Sequence, residues 1–212
     1  MENREFVIEG VKGAGKTTIM GLVKNQLIEA GYGPILRCAP FAEALKTYFE
    51  KTGRQDIVKL WSGTPEEQSY VEQLILGPIE KARERLEAMD NKSVLLFDRG
   101  WLTVLAAAQE ATAKDPVSQE AFLKRWTTII PPTFFIKVPP EITFQRRGGL
   151  FYGDVGGEET TRRATVIQDY DIREKLCRQF ESSILGIFDT SNGQTAFERA
   201  ADTITQRINN HA

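Results

Sequence analysis

The stretch that most restricts how this chain can fold lies near its start, "EFVIEGVKGAGKTTIMGLVKNQLIEAG", residues 5–31. A short apolar run meets a turn with glycines at 10, 13 and 15, followed by Lys16, Thr17 and a helical pattern. Gly10 to Thr17 satisfies G-x-x-x-x-G-K-[ST], with a strand leading in and a helix leading out. The glycines let backbone N–H groups converge on phosphate oxygens without obstruction by Cβ, and the helix N-terminus adds partial positive charge. Gly10, Gly13, Ala14, Gly15 and Thr18 are expected to line a phosphate site. Lys16 is expected to reach the β- and γ-phosphates, and Thr17 to ligate Mg²⁺. A glycine-rich turn can match by chance, but the full eight-residue pattern between strand and helix outweighs that reading.

The rest of the chain continues the alternation. Strands are predicted at 5–9, 33–38, 93–98, 133–138 and 184–189. Helices are predicted after the turn up to Gly31, over 41–53, from Thr64 to about Asp90 with a bend at Pro78, from Trp101, over 116–128, after Pro140, over 164–183 and over 194–208. Alternating strands and helices argue for an α/β fold, a parallel sheet with helices on both faces. Near-continuous apolar runs such as "VLLF" fit strands covered on both sides. With 212 residues and no linker or repeat, residues 1–212 read as one domain.

Composition narrows the function. Twenty-seven basic side chains against 29 acidic ones give a formal charge of −2, so neither nucleic acid nor an anionic membrane is the expected partner. The single histidine, His211, leaves no basis for a His-based metal site or a Ser/His/Asp triad. Cys38 and Cys177 match no metal-ligand spacing. No run approaches the roughly 18 apolar residues of a membrane helix, and "MENREF" is too short and polar for a signal peptide. A cytoplasmic enzyme is the expectation.

A phosphate loop needs an acid for its magnesium. Asp98, at the end of "SVLLFD", is the best candidate, because the carboxyl ends of parallel strands face the ligand crevice. A plain helix cap is its rival role. Arg99 follows, and its forked guanidinium suits a second phosphate better than a surface ion pair. Further on, "RRGGLFYGDVGGEETTRR" (146–163) holds five glycines between two arginine pairs. It reads as a mobile lid whose Arg146, Arg147, Arg162 and Arg163 would bring charge over the phosphates and exclude water, with about half of the four only solvated.

Taken in order, these segments resemble the thymidylate kinase family of P-loop nucleoside monophosphate kinases. "IEGVKGAGKTT" is similar to that family's opening, "FDRGWLTVLAAAQ" to its D-R-Y…A-Y-Q segment, and "PPTFFIKVPPEITFQRR" to the strand and helix before its lid. "GIFDTSNG" sits where the family places a strand end near adenine. The resemblance implies a five-stranded parallel sheet, ATP with Mg²⁺, a small-molecule nucleotide acceptor and a homodimer. It implies that Arg99 and Arg37 hold the acceptor, that Thr103 and Gln109 face its base, and that catalytic arginines sit in the lid, among them Arg147 and Arg162. Arg146 would serve the ATP side. Phe41, Trp61 and Tyr70 are candidates to stack on a base, Phe41 first.

The chain departs from the family on the acceptor side. Lys12 stands where the family carries an acid, Gly100 and Ala108 where it has tyrosines, and Gln68 where it has a phosphate-binding arginine. ATP-dependent phosphoryl transfer is therefore the firmer expectation, and dTMP or a related pyrimidine deoxynucleotide only the first guess at the acceptor. A kinase for a nucleoside, modified nucleotide or other small hydroxylated molecule is the second reading. A nucleotide-dependent switch comes third, since no N-K-x-D motif is present.

Overall fold

The computed structural model describes residues 4–11, 13–54, 57, 60, 63–112, 131–146 and 159–211, with the side chains at 109–112, 159–162 and 165 outside that description. Five strands, β1 (Glu5–Gly10), β2 (Ile35–Cys38), β3 (Val94–Asp98), β4 (Thr133–Lys137) and β5 (Ile184–Asp189), form one sheet in the order β2-β3-β1-β4-β5. Every neighbouring pair runs parallel. Ile8 is in register with Asp98 on one side of β1, and Gly10 with Ile136 on the other.

The period-2 alternation of the strands sorts the core into two layers. Phe6, Ile8, Leu96, Phe134 and Ile136 point to one face, where α1 (Lys16–Glu29) and α7 (Gln194–His211) cover them with Ile19, Val23, Leu27, Ala201, Ile204 and Ile208. Val7, Leu95, Phe97 and Phe135 point to the other. There they meet α2 (Pro40–Thr52), α3 (Pro65–Glu87), α4 (Trp101–Thr112) and α6 (Glu159–Gln179). The short α5 (Pro140–Arg146) sits beside α6 through Phe144 and Val166. Because α1 leaves β1 on one face and α4 leaves β3 on the other, the carboxyl ends of these adjacent strands open a crevice between them.

Local chemistry sets the helix boundaries. Thr64, where this helix was expected to start, caps α3: its hydroxyl accepts from the Glu67 amide at 3.3 Å, while the Glu67 carboxylate accepts from the Thr64 amide at 2.8 Å. The helix runs through Pro78 and stops at Glu87, three residues short of the expected end. Gly53 closes α2 with φ 68°.

One expectation changes, and another, the predicted helix at 116–128, lies outside the described residues. The segment 146–163, expected as one glycine-rich loop, is helical at both flanks: Arg146 ends α5 and Glu159 opens α6. The physical reason is that its glycines all fall between 148 and 157, so "ETTRR" is free to join the helix that follows. Residues 147–158 lie outside the description.

Candidate phosphate-binding site

At the end of β1 the chain turns through two glycines whose geometry no other residue fits. A Cβ at Gly10 (φ 143°) would lie 2.3 Å from the Ile136 carbonyl oxygen on β4. A Cβ at Gly15 (φ 87°) would lie 2.4 Å from Cε1 of Phe197 on α7. The first glycine lets β1 approach β4, and the second lets α7 back directly against the loop. The far limb of the loop is held from behind: Thr190 Oγ1 donates to the Ala14 carbonyl at 3.0 Å.

Lys16 opens α1 and is buried, 7% exposed. Its ammonium donates to the carbonyls of Gly10 (2.7 Å) and Val11 (2.6 Å), so the loop folds around its own lysine. Burial holds its pKa well below the usual lysine value, helped by the nearby Arg99 and Arg173 and opposed by Glu9 and Asp98. Thr17 and Thr18, in the first turn of α1, are exposed at the mouth of the loop.

Opposite, β3 delivers Asp98 and Arg99. Arg99 has φ 65°, the one non-glycine positive φ among the described residues. Such a conformation costs on the order of 1–3 kcal/mol and persists only where its surroundings over-determine it. Here they do: the Arg99 amide donates to the Ile8 carbonyl at 3.1 Å, and the Gly100 amide to Glu9 Oε1 at 2.7 Å. Asp98, with its side chain 14% exposed, is ion-paired to Arg37 from the end of β2.

The sequence reading overlooked Glu9. Fully buried on β1, it points to the α4 face, where it accepts from the amides of Gly100 and Thr103 (3.0 Å) and from the Thr103 hydroxyl (2.9 Å). Arg173 of α6, 2% exposed, lies 3.5 Å from the same carboxylate and 3.0 Å from the Thr103 hydroxyl. A carboxylate in register with Val7 on the covered face was the available signal, since a buried charge demands a partner. Among the described residues, four basic groups (Lys16, Arg37, Arg99, Arg173) thus gather with three carboxylates (Glu9, Asp98 and, on Arg173, Asp169) at the crevice. The excess is positive, in a chain whose overall charge is negative.

The remaining candidates divide. Arg146 lies beside the β5–α7 corner: it donates to the Thr190 carbonyl, and its guanidinium sits 5.2 Å from the Phe197 ring centre. Thr103, expected to face a bound base, is 2% exposed with its hydroxyl committed to Glu9 and Arg173; burial of Glu9 beside α4 draws it inward. Phe41, expected to stack on a base, is half-buried and packs on the core. Tyr70 does likewise, with Lys51 at 6.0 Å over its ring. Gln68 lies in the first turn of α3, its amide 3.5 Å from the Gly63 carbonyl. Arg163 stacks at 4.4 Å on Phe144. Lys12, Trp61 and Arg147 lie outside the described residues, as do the side chains of Gln109 and Arg162.

A five-stranded parallel α/β sheet, a glycine loop after β1 closing on a buried lysine, and an acid at the end of β3 define a P-loop protein. A family model described as "AAA domain" matches residues 5–136, from β1 into β4. The chain belongs to that AAA-domain family. No curated protein matches the chain in sequence. Two solved structures share its fold, and a third aligns with it less well. Thymidylate kinase from Candida albicans is 13% identical with a TM-score of 0.62, covering 100% of this chain and 94% of that one. TT1252 from Thermus thermophilus is 18% identical with a TM-score of 0.56, covering 98% of each chain. Shikimate kinase from Bacteroides thetaiotaomicron is 18% identical with a TM-score of 0.48, covering 99% of each. No helix among the described residues is long and apolar enough to cross a membrane.

Proposed function

We propose that this chain is a single-domain P-loop kinase that transfers the γ-phosphoryl group of ATP to a small acceptor, with a nucleoside monophosphate the first acceptor to test. The observation that carries this reading is a loop shaped for phosphate that closes on Lys16, with Arg99 and Arg37 facing it and basic groups outnumbering carboxylates four to three among the described residues. Phosphoryl transfer asks the protein chiefly to position two anions and neutralise their charge. Lys16 would exchange its two loop carbonyls for phosphate oxygens. Arg99, fixed at φ 65°, would address the acceptor side, together with Arg37 once it releases Asp98. Arg146, Arg147 and Arg162 would complete the charge around the phosphates, Lys12 and Gln109 the acceptor pocket. The exposed Thr17 hydroxyl and the Asp98 carboxylate are hard oxygen donors of the kind Mg²⁺ takes, so the residues present fit that ion. Bound there with ATP, it would neutralise charge on the β- and γ-phosphates.

The second reading, a kinase for another hydroxylated small molecule, is favoured by one observation. Thr103 is withdrawn into the Glu9 network, which removes a polar contact that a pyrimidine base would use. A coupled assay of ADP release against dTMP, other nucleoside monophosphates, nucleosides and non-nucleotide alcohols decides between them. Stimulation by monophosphates supports the first reading, and stimulation by non-phosphorylated acceptors alone supports the second. ATP binding with no stimulated turnover refutes both.

A further inference from the structure

We propose that Arg173 is a positioning residue of the phosphate site: acting through Glu9 and Thr103, it ties α6 to the strand that enters the phosphate loop and to the corner that holds Arg99. The inference rests on the reading of this crevice as a phosphate site. Its geometry is specific. Glu9 is the residue before Gly10, the first glycine of the loop. One oxygen, Oε1, accepts from the amides of Gly100 (2.7 Å) and Thr103 (3.0 Å), which fixes the backbone on the far side of Arg99. The other, Oε2, accepts from the Thr103 hydroxyl (2.9 Å), whose own oxygen accepts from Arg173 Nη1 at 3.0 Å. Arg173 Nε in turn donates to Asp169 one turn earlier on α6, at 2.8 Å.

Such a network is costly to build for stability alone. A buried ion pair commonly does no better than well-packed apolar residues of similar volume. Its position says more. Without Arg173, Glu9 would lose its ion-pair partner and leave its negative charge beside the loop that must accept phosphate, drawing on the Lys16 ammonium instead. Without Glu9, the Gly100 amide would lose its acceptor, and the positive φ of Arg99 one of its two restraints. Arg173 need not touch a ligand to influence the site.

Two measurements test this, both on the full chain with folding checked by urea melts. Calorimetric ATP affinity is compared for R173M, R173K and the double variant E9Q/R173M. The expected result is a loss of about tenfold or more in R173M, with most of it recovered in R173K, which keeps the charge, and in the double variant, which removes the orphaned anion. Amide exchange by NMR in the ligand-free protein gives the second readout. The Gly100 and Thr103 amides are expected to exchange faster in R173M, with the core amides of Ile204 and Ile208 unchanged. A folded R173M that binds ATP within about twofold of the parent overturns the proposal. So does exchange that accelerates equally in α7, the mark of general destabilisation. Wild-type protein that fails to bind ATP refutes the kinase reading, whereas the exchange experiment still judges the network itself.

Discussion

The close approach of Phe197 behind the phosphate loop gives the most quantitative prediction. In Gly15→Ala, the new Cβ would lie 2.4 Å from Cε1 and 2.8 Å from Cζ of Phe197. Real Cβ atoms do not approach that closely, so either the α1 start or the Phe197 ring must move. Overpacking of this kind costs typically about 1–3 kcal/mol. The backbone adds to it, because φ is 87° and an L side chain in the left-handed region costs roughly a further 1–2 kcal/mol. The expected loss is therefore about 2–5 kcal/mol, a large part of the stability of an ordinary domain. Urea denaturation followed by circular dichroism measures it. The two contributions separate in a cycle with Phe197→Ala, which removes the obstructing ring and leaves only the backbone cost. The double variant should be more stable than the sum of the two single losses by about 1–3 kcal/mol. Gly15→Ala within about 0.5 kcal/mol of the parent would refute the reasoning. Strict additivity would show that Phe197 does not press on the loop.

Three further outcomes follow from charge and capping. Lys16→Met removes a buried ammonium whose folded pKa is depressed below its unfolded value, mainly by burial. The unfolded chain binds more protons than the folded one between those two values, so the wild type gains stability with rising pH there. The urea-midpoint advantage of Lys16→Met should be largest near neutrality and shrink toward pH 10, while ATP binding is lost; an advantage that widens with pH contradicts the assignment. Cys38 and Cys177, both buried and both pushed up to about 12, should resist a thiol reagent at pH 8 in the folded protein and react promptly in denaturant. Thr64→Ala removes the capping box of α3 and should cost about 1 kcal/mol in a urea melt.

How much of this could be read beforehand depends on whether the physics was local. The loop, its strand and its helix follow from glycine freedom and the helix N-terminus, both written within residues 5–29. The Thr64 box was legible for the same reason: donor and acceptor are three residues apart. The strands announced themselves as apolar runs because a parallel sheet is covered on both faces. Residues 159–163 were misjudged because glycine content was averaged over a window whose glycines are confined to its middle. The contact of Thr103 is of another kind, since its hydroxyl donates to a carboxylate 94 positions away, a pairing that no local pattern announces.

That carboxylate marks where a linear reading stops. Glu9 was legible as a charge on a covered strand, yet its partner is Arg173, on a helix with so many charged residues that none stands out. Of the two, Glu9 carries the information, because an acid fully buried in an apolar strand must be answered by something. Arg173 is only the answer that the topology supplies, since α6 packs on the same side of the sheet as α4. The loop motif specifies the residues that meet phosphate, and the fold specifies what stands behind them. Here the backing is an ion pair one residue before the first glycine, on the face opposite Phe197. The loop is thus supported from both layers of the molecule, by a ring on the α7 side and by charge on the α6 side. The two supports should fail differently: loss of the ring loosens packing, and loss of the arginine leaves a negative charge where phosphate must come.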